Sequence, residues 1–471
     1  MTPDRPAAPA PPQEPIVDDD AALAADLAAA IAEPESAHRE VFSRIGRNIG
    51  WLVGGRGFSG VASFFYLAFA ARGMGPERFG VFALILSYAQ GIANLVQFQC
   101  WQGVIRYGAV HLAEERRDRL ARLIGFTGTL DVLTAIGGAI VAAIGVHVAA
   151  PLLGWTAEQR HLAALFGAVL LLSTGSTPSG ILRLFNRFDI ITFCEAVAPS
   201  VRLIGALVGW ATGGGVATFL IVWGAAAILQ SIVQWIAALS VEGGRLELGR
   251  SAAASAVAEN RRLWRFLLQT NFAASLSMLW SQLGVLAVGA VAGPAAAGGF
   301  RLALKLARGI AKPVQTLTGV LYPEMARLVA SEDHRTVAKV MRQIGLVSAL
   351  LALLVAAIAG LGGPLILQAF AGSAYEFAHL YLFLLAIASA LDLSGVAFEP
   401  LLAAHGRSGK LLGTRAIGAV LYIAALALLL PLIGAVGAAI AAILSSLAMR
   451  IRLGLIAARL QAQSAGAIAA T

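Results

Sequence analysis

Apolar residues in this chain come in long blocks, neither alternating as in a half-buried strand nor confined to a narrow helical stripe. Runs such as Leu162 to Leu172, Leu346 to Leu361 and Leu421 to Leu430 lie inside hydrophobic stretches of roughly 20 residues, the length that crosses a hydrocarbon core about 30 Å thick. Lipid cannot satisfy free backbone groups, so these stretches must be helical. With Gly, Pro and charged residues as punctuation, the pattern predicts spans near 47–71, 79–105, 123–149, 160–182, 190–212 and 216–240. Six more are predicted near 264–291, 297–322, 343–369, 378–404, 411–431 and 434–458. The predicted fold is an all-α integral membrane protein with about 12 transmembrane helices in two six-helix lobes. Connecting loops of at most about 20 residues leave no room for a soluble catalytic domain.

Composition sharpens this picture. The 471 residues are 58% hydrophobic and 13% charged, with a mean hydropathy of +0.77, more apolar material than a water-soluble fold needs. Residues 1–44 differ: they are rich in Ala and Pro, carry Asp18, Asp19 and Asp20 in a row, and lack the basic start of a signal peptide. They are expected to form a disordered cytoplasmic tail. The remaining division is a first lobe over 45–240, a cytoplasmic linker over 241–263, a second lobe over 264–460 and a cytoplasmic tail over 461–471. Cys100 and Cys194, the two cysteines, both fall within spans, and the seven histidines show no ligand spacing. No disulfide, metal or cofactor is expected.

Basic residues sort the loops. One set carries Arg106, Arg116, Arg117, Arg119, Arg122, Arg183, Arg187, Arg245, Arg250, Arg261, Arg262, Arg265, Arg327, Arg335, Lys339, Arg342, Arg407, Lys410 and Arg415; the other carries Arg72, Arg78 and Arg160. The positive-inside rule places the richer set and both termini in the cytoplasm. It also accounts for the net charge of +9 without nucleic acid.

Sliding the chain against itself by 218 residues sets Gly75-Pro76 on Gly293-Pro294, and 12 of the 23 positions through Gln97 and Gln315 are identical. Shared Ala and Leu arise easily on apolar helices, but a Gly-Pro turn and further matched glycines do not. The lobes read as an internal duplication. Copies separated by an even number of spans run in the same direction, and transporters of that design bind substrate between lobes near the midplane.

The informative positions are those where the copies differ. Arg301, Lys305, Arg308 and Lys312 stand where the first copy has Ala83, Ser87, Gln90 and Asn94. At helical periodicity the four basic residues form one stripe, within about 60° of arc and rising roughly 17 Å, and Gln315 extends it. A basic residue at the bilayer centre costs about 2.5 to 3.5 kcal/mol, so the stripe should face protein or water. Arg301 alone is close enough to an interface to snorkel. The first copy keeps that face polar but uncharged with Ser87, Gln90, Asn94 and Gln97, as expected if both helices line one aqueous cavity. Arg56, inside a Gly-Gly-Arg-Gly stretch, and Arg202, three residues after Pro199, complete six central cations against four acids, Asp131, Glu195, Asp392 and Glu399. For each there is a plainer reading: a Lys312–Glu399 ion pair that only holds helices together, or an Arg56 or Arg202 bond to a helix carbonyl. A cavity lined by guanidinium and ammonium groups favours an anion bearing phosphate or carboxylate.

The turn Arg72-Gly73-Met74-Gly75-Pro76-Glu77-Arg78-Phe79-Gly80-Val81-Phe82 resembles the corresponding segment of the polysaccharide transporter family, the Wzx-type O-antigen flippases. These belong to a superfamily that also holds lipid II flippases and multidrug antiporters. The resemblance implies a non-enzymatic carrier in a bacterial inner membrane, moving an undecaprenyl-pyrophosphate-linked oligosaccharide from the cytoplasmic to the periplasmic leaflet by alternating access. Its partners would be the lipid-linked anionic glycan, membrane lipids and a polysaccharide polymerase complex. By position, Arg56, Arg308 and Lys312 are the leading candidates for the pyrophosphate, with Glu195 and Asp392 for coupling to Na⁺ or H⁺. Pro178, Pro199, Pro313 and Pro400 mark expected kinks. A multidrug antiporter and a membrane polymerase or ligase remain as alternatives.

Overall fold

A computed structural model describes residues 35–241, 250–316, 334–395, 398, 402 and 408–469. The chain divides into two units. Met1–Gly54 holds the start of the first helix, while Gly55–Thr471 holds both lobes. The first lobe contains α1 (Glu35–Val96), α2 (Cys100–Ala113), α3 (Arg117–Leu152), α4 (Ala157–Leu172), α5 (Thr177–Leu184), α6 (Phe188–Ala211) and α7 (Val216–Ser240). A short helix, α8 (Arg250–Glu259), precedes the second lobe: α9 (Leu263–Thr316), α10 (His334–Ala371), a 3₁₀ turn (Ser373–Ala378), α11 (His379–Ser394), α12 (Ser408–Ile433) and α13 (Ala435–Ala469).

Ten described stretches are long and apolar enough to cross a membrane. Two of them, Gly57–Ala113 and Gln282–Gly309, pass through a glycine that breaks the helix, Gly75 (φ 69°) and Gly293 (φ 84°). Only glycine adopts that backbone without strain, and the proline that follows each is suited to starting a new helix. The chain reverses there: a Cβ on Gly284 would lie 3.4 Å from the Phe300 ring, so segments either side of Gly293 pack together. With both hairpins opened, the ten stretches correspond to the twelve predicted spans.

Backbone geometry extends the duplication beyond the matched sequence. Gly154 (φ 63°) and Gly372 (φ 95°) share the spacing of Gly75 and Gly293, and Gly213 (φ 68°) pairs with Gly434 (φ 62°) at a spacing three residues longer. Matched side chains are also matched in burial: Phe82 with Phe300, Leu84 with Leu302 and Ala89 with Ala307 are all within the core. That core runs through both lobes. Outward faces are apolar too, as on α3, where Ile136, Ile140, Ile144 and Val148 form an exposed stripe. Such a stripe suits hydrocarbon rather than water.

Two predicted spans are interrupted. The helix after Gly75 stops at Val96 and restarts at Cys100, and the fourth span stops at Leu172 and restarts at Thr177. Pro178 therefore opens a helix at its first turn instead of kinking one. Pro199 lies inside the unbroken α6. The segment 1–34, the linker residues 242–249, Pro400 and Glu399 lie outside the described residues, as do the side chains of Pro313 and Lys312.

Candidate functional site

The lobes meet on the pseudo-symmetry axis through equivalent glycines. A Cβ on Gly298 would stand 3.0 Å from Gly80 Cα and 3.1 Å from the Pro76 carbonyl oxygen, and a Cβ on Gly80 would collide with the carbonyl of Pro294. Absence of side chains here is what lets the two second helices approach backbone to backbone. Further along α1, the Leu84 side chain fits against Gly289.

Beyond this contact lies a cavity of about 280 Å³, lined in part by Gln90, Arg202, Arg301, Lys305 and Arg308. Arg301, Lys305 and Arg308 fall on one face because they are spaced by four and three residues on a helix. Lys305 and Arg308 are exposed to this space, and Asp392 and Tyr422 lie within electrostatic reach of Arg308. Arg202 enters from α6, with its guanidinium 5.8 Å from the centre of the Trp223 ring. Its Nε is buried and has no hydrogen-bond partner among the described residues.

Arg301 does not snorkel. Its Nη1 donates to Ser87 Oγ at 2.5 Å and its Nη2 to Gln90 Oε1 at 3.3 Å, so a cation of the second lobe is held by the uncharged stripe of the first. Gln90 thus both lines the cavity and holds a cation, whereas Ser87, fully buried and outside the cavity lining, only holds it. Asn94 and Gln97 are half-buried farther along the same chain segment, outside the cavity lining. Glu195 faces Arg183 at 3.9 Å, away from the chamber. The side chains of Arg56, Lys312 and Gln315 lie outside the described residues. Sequence reasoning missed Tyr66, Trp223 and Gln282, which also line the cavity; a polar Gln in an apolar span was the available signal for the last.

Past the cavity, along α9 away from Gly293, the lobes touch again. Trp264 packs edge-on against Phe98 at 6.4 Å and Phe126 at 5.5 Å, and Leu267 packs against Gly103. The cationic chamber thus sits between two sets of interlobe contacts.

Comparison with known proteins agrees with this architecture. The Escherichia coli (strain K12) "Inner membrane protein YghQ" is 31% identical over 306 residues, spanning 63% of this chain and 82% of that protein. A multidrug resistance MATE family transporter of the MOP superfamily in an inward-facing conformation superposes with a TM-score of 0.64 at 13% identity, over 88% of this chain and 95% of that one. A lipid II flippase, MurJ, in an inward closed conformation gives 0.59 at 15% identity over 87% of each. At such identities the structures share the fold. The model of the "Polysaccharide biosynthesis protein" family matches residues 45–329, and this chain, a multi-pass membrane protein with the fold of MOP-superfamily transporters, belongs to that family.

Proposed function

We propose that the protein flips an undecaprenyl-pyrophosphate-linked oligosaccharide from the cytoplasmic to the periplasmic leaflet of a bacterial inner membrane by alternating access, for surface polysaccharide synthesis. The observation that carries this reading is the chamber between the lobes that gathers Arg202, Arg301, Lys305 and Arg308. Fixed positive charge inside a fold surrounded by lipid is expensive, and its use is to receive an anion; guanidinium forks match phosphate oxygens. A volume of about 280 Å³ is at the small end for a ligand site, so in this state it suits the pyrophosphate rather than the whole glycan. The polyprenyl chain would remain in lipid. Arg202, Lys305 and Arg308 would contact phosphate, Arg301 would hold the lobes in register, and Asp392 would tune the charge of Arg308.

The loop charges support an orientation in which Gly75 and Gly293 turn at the periplasmic face. Transport would then alternate between release of the Gly80/Gly298 contact and release of the Trp264 contact. Expulsion of negative charge runs with an inside-negative potential, worth about 2.3 kcal/mol per charge per 100 mV. Replacing Lys305 and Arg308 by their first-lobe counterparts, Lys305→Ser with Arg308→Gln, tests the reading. Membrane insertion should persist, surface polymer should be lost, and lipid-linked precursor should accumulate in the inner leaflet. Normal polymer from a well-expressed variant, or resistance to organic cations that depends on this protein, would point instead to a multidrug exporter.

A further inference from the structure

The arginines outside the chamber are of two kinds. Some are neutralised by carboxylates: Arg116 by Glu114 at 3.1 Å, Arg187 by Asp189 at 3.1 Å and Arg122 by Glu259 at 2.8 Å. Others are not. Arg106 on α2, and Arg261, Arg262 and Arg265 around the start of α9, are exposed, and none is paired with an acid among the described residues. The acids that follow Arg106 and precede Arg261 in sequence, Glu114 and Glu259, are already held by Arg116 and Arg122.

These unpaired arginines come from both lobes, and packing brings them to one seam. The Arg106 guanidinium lies 4.8 Å from the centre of the Phe266 ring. Its neighbour Tyr107 packs edge-on against the same ring at 6.0 Å and donates from its hydroxyl to the Arg261 carbonyl at 3.3 Å. Arg262 has a φ of 69°, a left-handed backbone that is uncommon for a residue with a side chain, yet that side chain is left in the open rather than packed. Helical spacing keeps Arg265 within about 100° of Phe266 on α9. Arg106 of one lobe and Arg262 and Arg265 of the other thus stand around a single ring. Trp264 and Leu268 are 41% and 53% exposed. In the orientation proposed above they supply an aromatic residue at the cytoplasmic interface and, one turn deeper, an apolar one.

We propose that this cluster binds the headgroup of an anionic phospholipid of the cytoplasmic leaflet, whose phosphate bridges Arg106 of the first lobe to Arg262 and Arg265 of the second. Guanidinium forks match phosphate oxygens, and basic residues gathered between helices on the cytoplasmic side suit acidic headgroups. Trp264 and Leu268 offer surface to the acyl chains. The bridge fastens the seam that Trp264 and Leu267 close, so lipid composition sets how readily that side opens. The site lies outside the chamber and does not depend on what the chamber carries.

The purified full-length protein in detergent is titrated with phosphatidylglycerol, with phosphatidylcholine of the same acyl chains and with inorganic phosphate, and the thermal midpoint is read. A ligand of the folded state raises it. Phosphatidylglycerol should raise the wild-type midpoint, and the other two should not. Arg106→Gln alone, and Arg262→Gln with Arg265→Gln, should each raise the half-effect concentration of phosphatidylglycerol at least about fivefold, because each removes one lobe's share of the bridge. Arg116→Gln with Arg187→Gln takes charge from exposed sites outside the cluster and should leave the half-effect unmoved. An equal loss in that control, a loss from only one lobe's variant, or a rise with phosphatidylcholine or phosphate as large as with phosphatidylglycerol would overturn the proposal. Should a variant fail to fold, native mass spectrometry of the wild type decides: it should retain phosphatidylglycerol over phosphatidylcholine, and equal retention would overturn the site.

Discussion

Gly80→Ala places one methyl group at the point where the two lobes meet. The added Cβ would overlap the Pro294 carbonyl and stand 3.0 Å from the Ala295 nitrogen. These are backbone atoms, so no side-chain rotation relieves the clash, and the lobes must separate at that end by roughly an ångström. Overpacking of this kind costs about 1 to 3 kcal/mol. The contact joins the lobes rather than the helices within one, so the cost falls on the conformation described above and not on the folding of either lobe. A bias of that size changes a two-state population about 5- to 150-fold. Spin labels at Arg78→Cys and Ala292→Cys, both exposed beside the glycine turns, would report it; Cys100 and Cys194 are buried and need not interfere. Gly80→Ala should add or enlarge a long-distance population in double electron–electron resonance. Gly137→Ala serves as control, since nothing stands within 4 Å of its new Cβ, and it should leave the distribution near that of the parent. Identical distributions for Gly80→Ala and the parent, at unchanged thermal stability, would refute the idea that this contact holds the lobes closed.

Two further outcomes follow from the same geometry. Arg301→Met removes two bonds across the lobe boundary and leaves Ser87 buried without its donor; hydrogen bonds to a charged group are worth about 1.5 to 3 kcal/mol, so the thermal midpoint should fall measurably. Tyr88→Phe deletes the 2.6 Å bond from the phenol to the Ala142 carbonyl, which links α1 to α3. It should cost about 0.5 to 1.5 kcal/mol in thermal or denaturant unfolding, with surface-polymer output retained.

The chain's own residues determined the membrane fold, the twelve crossings, the duplication and the single stripe of Arg301, Lys305 and Arg308. Each is a local property: a bilayer demands long apolar helices, and helical spacing alone sets which residues of one helix share a face. Tertiary structure decided what stands opposite. Self-alignment makes Ser87 and Gln90 the counterparts of Lys305 and Arg308, yet in space they hold Arg301, because the two second helices cross at Gly80 and Gly298. Glu195 and Asp131 looked alike as acids within spans, but one meets Arg183 and the other accepts the backbone N–H groups of Ser176 and Thr177 at a helix break. Such differences depend on the contacts between helices, where residues distant in sequence meet, and no periodicity within one helix encodes them.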